Sequence, residues 1–146
     1  MAYSSSLGII RVRDANNTST WYKIPLKYIS YENYKVTPQQ MIDLDSYVSE
    51  TGTLIRNVLD HTRTKIEWET PYITSDDWNA LWQNYITPGI TDAKARKVRI
   101  QYYNPLTDAY RTAWAYIPDI EFTIRNVDEA SGVINYNAIR IAFIEY

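Results

Sequence analysis

The chain has 146 residues, 45% of them hydrophobic, and its 15 lysines and arginines are balanced by 17 aspartates and glutamates. That length predicts one domain over residues 1–146, with enough apolar side chains for a sizeable core. The near balance of charge lacks the basic excess that dominates binding to a phosphate backbone, so we expect no nucleic acid on the outer surface. Without cysteine and with a single histidine, the chain also lacks disulfides, thiolate chemistry and the usual zinc ligands.

Membrane insertion and secretion are not expected either. No apolar run approaches the roughly 18 residues that cross a bilayer. Residues 1–14 do not place a basic region ahead of an apolar one, as a secretion signal does. We therefore expect a protein made in the cytoplasm.

The first strands are predicted over residues 7–14 and 21–36, joined as a β-hairpin by the polar loop 15–20. The Asn, Ser and Thr side chains of that loop bond their own backbone and favour turns. A second, long β-hairpin is predicted over about residues 43–69, with its turn near Gly52. The apolar spacing within residues 53–61 also fits a short helix, and two extended arms are the favoured of the two interpretations.

An amphipathic helix is predicted over about residues 75–86. Thr74 or Ser75 can cap its start, and the two aspartates that follow place negative charge in the first turn, where the helix dipole favours it. Four apolar side chains then recur at i, i+3, i+4 and i+7, on one face of the helix: Trp78, Leu81, Trp82 and Tyr85. The Pro-Gly pair at 88–89 ends the helix. This face is expected to lie in the core, as is Trp68, which alternates with glutamates in a strand.

The last third of the chain alternates polar and apolar residues with period two, which predicts further strands. The aligned sets are Val98, Ile100 and Tyr102; Tyr110, Thr112, Trp114 and Tyr116; Ile120, Phe122 and Ile124; and Ile139, Ile141 and Phe143. A turn at residues 104–108 and a loop at 126–132 separate these strands. Together the elements predict a mainly β fold: an antiparallel β-sandwich or partial barrel with one flanking α-helix and the long β-hairpin.

The aromatic residues raise the question of a binding surface, since 14 tyrosines and five tryptophans stand against two phenylalanines. The set from Tyr110 to Tyr116 could lie in the core, contact another subunit, or stack on sugar rings. The sequence favours the first two possibilities. Exposure of Trp21 and Trp114 separates assembly from sugar binding.

Catalytic chemistry finds little support in the sequence. The chain has no glycine-rich phosphate loop, nucleophile elbow or His-Glu helix, and His61 has no nucleophile at a telling spacing. Acidic pairs occur at residues 43 and 45, 76–77 and 128–129. The second pair is explained as helix-start charge, and none matches a glycosidase pair or a calcium loop. We therefore predict no enzymatic activity, no cofactor and no metal; a small glycosidase using the acid pairs is the least favoured alternative.

A family resemblance rests on three stretches of the chain. Arg63–Trp68 reads Arg-x-Lys-Ile-Glu-Trp and runs through a proline and a Thr cap into the helix. Residues 101–122 hold a strand, an Asn-Pro-x-Thr turn and an Arg-Thr pair, and residues 43–57 are similar in kind. In order and spacing these stretches resemble small tail proteins of phages and prophages of Gram-positive bacteria. The longer N-terminal hairpin and the loop 90–97 depart from that pattern, which leaves the position along the tail open.

The resemblance implies a tail-tube-like fold in which the long hairpin joins neighbouring subunits into a ring, commonly hexameric. The implied partners are further copies of the chain and neighbouring tail proteins such as tube, tape measure or hub, with DNA only as passing cargo in the lumen. The implied location is the virion, in a tail assembled in the host cytoplasm. Tail-tube, distal-tail and baseplate-hub rings all fit. A carbohydrate-binding β-sandwich that uses exposed Trp and Tyr residues remains the alternative function.

Under this interpretation the long hairpin faces the lumen or the next subunit. The residues expected there are Asp43, Asp45, Glu50, Leu54, Ile55, Arg56, Val58 and Asp60. The four acidic members of that set would then repel passing DNA rather than bind it.

Overall fold

The structure, a computed structural model, describes residues 3–41, 47–56 and 62–146. Its strands are β1 Ile10–Arg13, β2 Trp21–Lys23, β3 Lys35–Gln40, β4 Tyr47–Val48, β5 Leu54–Ile55, β6 Arg63–Glu69, β7 Ile73–Thr74, β8 Lys97–Asn104, β9 Ala109–Tyr116, β10 Ile124–Asp128, β11 Val133–Tyr136 and β12 Arg140–Glu145. Its α-helix is α1, Ser75–Leu81. The predicted mainly β fold is confirmed, because antiparallel strands dominate and one helix flanks them.

Seven strands form one open antiparallel sheet in the order β2-β1-β8-β9-β12-β6-β3, so its two edges are β2 and β3. At its centre β8 and β9 pair along their full length, from Lys97 opposite Tyr116 down to Asn104. In the turn between them, Asp108 adopts left-handed backbone with φ of 50°. The Asn104 side chain accepts a hydrogen bond from the Leu106 N–H at 3.0 Å. The turn predicted at the Asn-Pro pair therefore joins a tight hairpin.

One face of the large sheet, the inner face, carries the core. Val98, Ile100 and Tyr102 are buried there, as their alternation predicts. Neighbouring strands add further fully buried side chains: Ile10, Val12, Ile66, Trp68, Ile141 and Phe143. The Trp68 ring lies 5.7 Å from the Phe143 ring, and its Nε1 donates to the Tyr28 carbonyl at 3.2 Å. The opposite side of the sheet is called the outer face below.

A polar cluster closes one end of the inner face. Arg111 Nη1 donates to Glu145 Oε2 at 2.6 Å and to the Tyr102 hydroxyl at 3.1 Å. Glu145 Oε1 accepts from the Thr64 N–H at 3.0 Å, and the Thr64 and Tyr102 hydroxyls lie 2.9 Å apart. Burial by itself lowers the pKa of Arg111, but hydrogen bonds to Tyr102 and Glu145 outweigh it and the pKa is raised. The cluster thus ties β6, β8, β9 and β12 together through satisfied polar groups.

The N-terminal hairpin forms as predicted only near its turn. β1 pairs with β2, with Arg13 opposite Trp21. Beyond β2 the predicted second arm is wrong, because the chain leaves the sheet through two 3-10 turns, Leu26–Tyr28 and Tyr31–Asn33. Pro25, which has no N–H for a ladder bond, precedes the first of them. The chain then returns as β3, at the opposite edge of the sheet.

The long hairpin predicted over about residues 43–69 is described in two parts. β3 pairs with β6, with Lys35 opposite Glu67, and β4 pairs with β5, with Tyr47 opposite Ile55. The turn falls at Gly52 as predicted, with φ of 84°, a conformation that favours glycine. Residues 42–46 and 57–61 lie outside the described residues. The extended interpretation is therefore confirmed over β5. Residues 57–61, the rest of the stretch that could also have been a helix, lie outside the described residues.

The predicted helix is present, with a change of geometry near its middle. Thr74 is the N-cap, and its Oγ1 accepts from the Asp77 N–H at 3.2 Å. The α-helix ends at Leu81, continues as a π-turn over Trp82–Ile86, and closes with the 3-10 turn Thr87–Gly89. The side chains predicted to face inward all contact the core, two of them buried and two partly buried: Trp78, Leu81, Trp82 and Tyr85.

A small sheet of order β10-β11-β7 accompanies the helix. The alternation of Ile120, Phe122 and Ile124 predicted a strand, followed by a loop at 126–132. Instead the strand begins at Ile124 and runs to Asp128, and both Phe122 and Ile124 are exposed. The β10–β11 hairpin pairs with the short strand β7 rather than with the large sheet, so the alternation of β10 has no core to face.

Candidate functional site

The eight residues predicted for the subunit-facing hairpin divide into two groups. Four lie outside the described residues: Asp43, Asp45, Val58 and Asp60. The others lie at or beside the hairpin tip: Glu50, Leu54, Ile55 and Arg56. Glu50, Leu54 and Arg56 are exposed, and Ile55 pairs with Tyr47 across the ribbon. The structure therefore brings the described members together at one turn.

The hairpin tip is a two-stranded sheet of its own. Its turn is closed by the Ser49 N–H donating to the Thr53 carbonyl at 2.7 Å. Three apolar side chains on the two strands are more than half exposed: Tyr47 55%, Val48 64% and Leu54 57%. Two isolated strands are marginal in water, and exposed apolar clusters mark contact surfaces. The tip is therefore a candidate contact surface.

The base of this hairpin is the pair β3 and β6, and its tip is the pair β4 and β5. Tyr47 lies opposite Ile55 in β4 and β5, and Lys35 lies opposite Glu67 in β3 and β6. The spacing from Lys35 to Tyr47 on one arm therefore equals the spacing from Ile55 to Glu67 on the other. A bulge interrupts β3 between Thr37 and Gln40, where the ladder shifts by one residue.

The outer face of the large sheet holds a cluster of cations that the sequence analysis did not identify. Its members, Arg11 and Arg13 on β1 and Lys97 and Arg99 on β8, are called the basic face. Two tryptophans flank them, since Arg13 lies opposite Trp21 and Arg99 lies opposite Trp114. All four cationic side chains are half-buried.

Cation–π contacts hold these side chains flat against the sheet. The Trp114 ring centroid lies 5.5 Å from the Arg13 guanidinium, 5.3 Å from that of Arg99 and 5.0 Å from Lys97 Nζ. The Arg11 guanidinium lies 4.6 Å from the Trp21 centroid. Such contacts favour cations over the ring face but do not neutralise their charge.

Like charge is concentrated on the basic face without acidic partners. Within the described residues, none of the four cations forms an ion pair. Burial lowers the pKa of Arg99, and the neighbouring charges of Arg13 and Arg111 lower it further. Arginine still remains protonated at any ordinary pH. The cations are therefore held together at a cost that an outside anion would relieve.

These contacts also bear on the two tryptophans chosen to separate assembly from sugar binding. Trp21 and Trp114 are half-buried, and guanidinium or ammonium groups lie over both rings. Sugar stacking needs a bare aromatic face. The arrangement favours a charged contact over a sugar platform. Along the same strand, Tyr110 is occupied by the N-terminal segment, donating to the Gly8 carbonyl at 2.6 Å.

A second charged cluster, of opposite sign, lies on the small sheet and the start of α1. Asp76 and Asp77 are exposed in the first turn of the helix, and Asp128 and Glu129 are exposed at the β10–β11 turn. The Ser75 hydroxyl accepts from the Ile134 N–H at 3.2 Å, which brings the helix start beside β11. These four carboxylates are called the acidic end. Hydrogen bonds from Ser131 and Ala130 lower the pKa of Asp128, so it stays ionised.

The acid pairs are not arranged as glycosidase machinery where the structure describes them. Asp77 lies in the first turn of the helix, as predicted from the sequence, and Asp128 lies in the β10–β11 turn. A shallow concavity of about 260 Å³ does hold Glu67 and Glu69 on the outer face of β6. There, hydrogen bonding to Arg140 lowers the pKa of Glu67, the opposite of the shift a general acid needs. Within the described residues no three His, Asp or Glu side chains are grouped as metal ligands.

A signal for the basic face was present in the sequence. Residues 11–13 read Arg-Val-Arg and residues 97–99 read Lys-Val-Arg, so each strand places two cations on one face and a valine on the other. The overall charge of −2 concealed this segregation, because acids elsewhere cancel it. That the two strands are neighbours follows only from the fold.

Most of the chain matches one known protein family. A family model described as a family of unknown function, DUF6711, matches residues 18–146. The match covers most of the chain, which therefore belongs to that family. No curated protein and no solved structure gives a match. In the part of the chain that the structure describes, no helix is long and apolar enough to cross a membrane.

Proposed function

We propose that this member of the DUF6711 family is a non-enzymatic structural subunit of a phage or prophage-derived tail, and that it assembles with further copies of itself into a ring. The ring belongs to the tail tube, the distal tail or the baseplate hub, and is hexameric in the form that the sequence resemblance implies. Its neighbours are other tail proteins such as tube, tape measure or hub. DNA is passing cargo, and the site of action is the virion.

The exposed hairpin tip is the observation that carries this proposal. Tyr47, Val48 and Leu54 present apolar side chains to solvent on a ribbon whose only sheet partner in the described residues is itself. A neighbouring subunit that covers these side chains would supply the packing that this two-stranded sheet lacks. The mainly β fold with a flanking helix is also the architecture that the resemblance implies.

The acidic residues of the hairpin keep the role suggested for them in the lumen. Glu50 is exposed at the turn, as a residue facing a central channel is. Asp43, Asp45 and Asp60, which lie outside the described residues, complete the proposed set. Negative side chains around a channel would keep DNA moving through it by repulsion. Replacing the four by amides should raise DNA retention in assembled rings, and unchanged retention would remove this role.

Incorporation into tails tests the proposal. The phage or prophage that encodes the chain is produced with an epitope-tagged copy, and purified tails are examined by immuno-electron microscopy and peptide mass spectrometry. We expect many copies at one position along the tail axis. A tail preparation that lacks the chain overturns the proposal.

A hairpin variant makes the same experiment specific. Val48→Asp with Leu54→Asp places charges on exposed side chains, so the monomer should fold while incorporation is lost. The matched control is Leu26→Asp with Leu106→Asp, since both leucines are exposed but lie away from the hairpin. Equal incorporation of both double variants would contradict the role of the hairpin.

A further inference from the structure

We infer that the basic face is a docking surface for the acidic end of a second copy of this chain. The occupant follows from charge: four cations, Arg11, Arg13, Lys97 and Arg99, face outward without acidic partners in the described residues. The same chain displays four exposed carboxylates together at its acidic end. This inference rests on the proposed function, because it names the contact by which ring subunits recognise one another.

The segregation of charge along the chain makes the match specific. Residues 70–89 and 120–138, which hold the helix and the small sheet, contain one cation, Arg125, against five acids. Among the described residues, strands β1, β2, β8 and β9 bring no carboxylate to the outer face. Each copy therefore offers a surface of one sign and a complement to it. Complementary surfaces of this kind steer encounter and fix orientation.

Apolar groups around both charged clusters extend the contact beyond Coulomb attraction. Trp21 and Trp114 border the basic face and are half-buried. Beside the acidic end, Ile124 and Val127 of β10 are more than half exposed. The outer face thus offers amphipathic rings to an apolar hairpin, which is the composition of the centre of a protein interface.

The contact is head-to-tail, because the two surfaces lie on different parts of the chain. A copy that docks its acidic end still presents its own basic face to the next copy. Such heterologous contacts close into a ring or continue as a filament. The basic face would therefore give the proposed ring a second contact between subunits, in addition to the hairpin.

Charge-swapped variants test the inference directly. The face variant carries Lys97→Glu and Arg99→Glu, and the end variant carries Asp76→Lys and Glu129→Lys. We expect each alone to self-associate about a hundredfold more weakly than the wild type, since like charges facing each other across an interface are strongly unfavourable. An equimolar mixture should assemble again, because each variant now offers the surface that the other needs. Masses are read by analytical ultracentrifugation at low salt.

The control changes charge equally without touching either surface. Lys35→Glu with Arg63→Glu shifts the net charge by the same amount as the face variant, and both side chains are exposed on β3 and β6, at the other side of the sheet from β1 and β2. This control should assemble as the wild type does. Circular dichroism and thermal melting of every variant establish that the monomers are folded, so that a loss of association is read as a loss of contact.

The possible results separate the inference from the proposed function. Failure of the mixture to assemble, or equal weakening by the control, overturns the docking surface even where the chain is found in tails. Recovery of assembly in the mixture supports the docking surface. If the chain were nevertheless absent from purified tails, only the proposed function would be overturned. A wild type that stays monomeric and binds double-stranded DNA, with binding lost in the face variant, makes the basic face a nucleic-acid surface and overturns the inference.

Discussion

The two faces of the seven-stranded sheet treat the same residue type in opposite ways. On the inner face, Arg111 donates to the Glu145 carboxylate and to the Tyr102 hydroxyl inside a closed polar cluster. On the outer face, Arg13 and Arg99 lie over the Trp114 ring with no acidic partner among the described residues. The inner arginine stabilises the fold, whereas the outer pair forms part of the contact surface that we infer for a second copy of the chain. The two faces therefore contrast an arginine paired within the fold with arginines available for an outside contact.

Removing the largest inner side chain should have the largest effect on stability. Trp68→Ala deletes a fully buried ring packed on Phe143 and leaves the Tyr28 carbonyl without its indole donor. We expect a loss of about 4 kcal/mol in the free energy of unfolding, measured by urea denaturation. A loss below about 1 kcal/mol would mean that the inner face does not hold the fold as described.

Breaking the polar cluster tests the inner arginine. Glu145→Gln removes the charge that Arg111 faces, and because Arg111 is partly exposed we expect a loss of about 2 kcal/mol. The Arg111→Gln variant should lose a similar amount, and the double variant should lose less than the sum, as coupled partners do. Additive losses in thermal melting would show that the pair is not coupled.

The ion pair between Glu67 and Arg140 lies on the outer face of β6. Its contribution to the free energy of unfolding should be smaller than that of the polar cluster, and it depends on pH. Glu67 has its pKa lowered below its ordinary value of 4.5, first by hydrogen bonding to Arg140. A lowered pKa means that the contribution is full above pH 4.5 and is lost as pH falls through the lowered pKa. Glu67→Gln should therefore cost under about 1 kcal/mol at pH 7, as partly exposed pairs do. The difference from wild type should vanish in acid, and a difference that grows in acid would contradict this sign.

Removing an outer arginine should leave the stability of the monomer nearly unchanged. Arg99→Gln relieves a charge whose pKa is lowered by burial and by Arg13. We expect a change within about 0.5 kcal/mol in thermal melting at high salt, where assembly is suppressed. Arg111→Gln is the matched control on the inner face. Equal losses for the two variants would erase the contrast between the faces.

Local patterns were sufficient to predict the inner face but not the outer one. Val98, Ile100 and Tyr102 alternate within one strand, so their burial follows from period two alone. The same rule predicted a strand from Ile120 onwards, but the strand begins only at Ile124. Its hairpin pairs away from the large sheet, and alternation does not state which sheet a strand joins.

The candidate site depended on pairing that no local pattern gives. Arg13 and Arg99 meet through the register of β1 with β8, which are far apart in the chain. The helix start was predicted from its caps, and Thr74 does cap it, yet the place of Asp76 beside the β10–β11 turn required the small sheet. The hairpin turn at Gly52 was predictable, because positive φ is a local demand that glycine meets.

The central claim, that the chain is a self-assembling ring subunit, is tested most directly by sedimentation velocity of the wild-type protein. Runs at several concentrations compare about 0.05 M with about 0.5 M salt, across which screening of exposed charges increases strongly. We predict a discrete species of several subunits at low salt, growing with concentration and reverting towards the monomer at high salt. A monomer at every concentration and at both salt levels would contradict the claim.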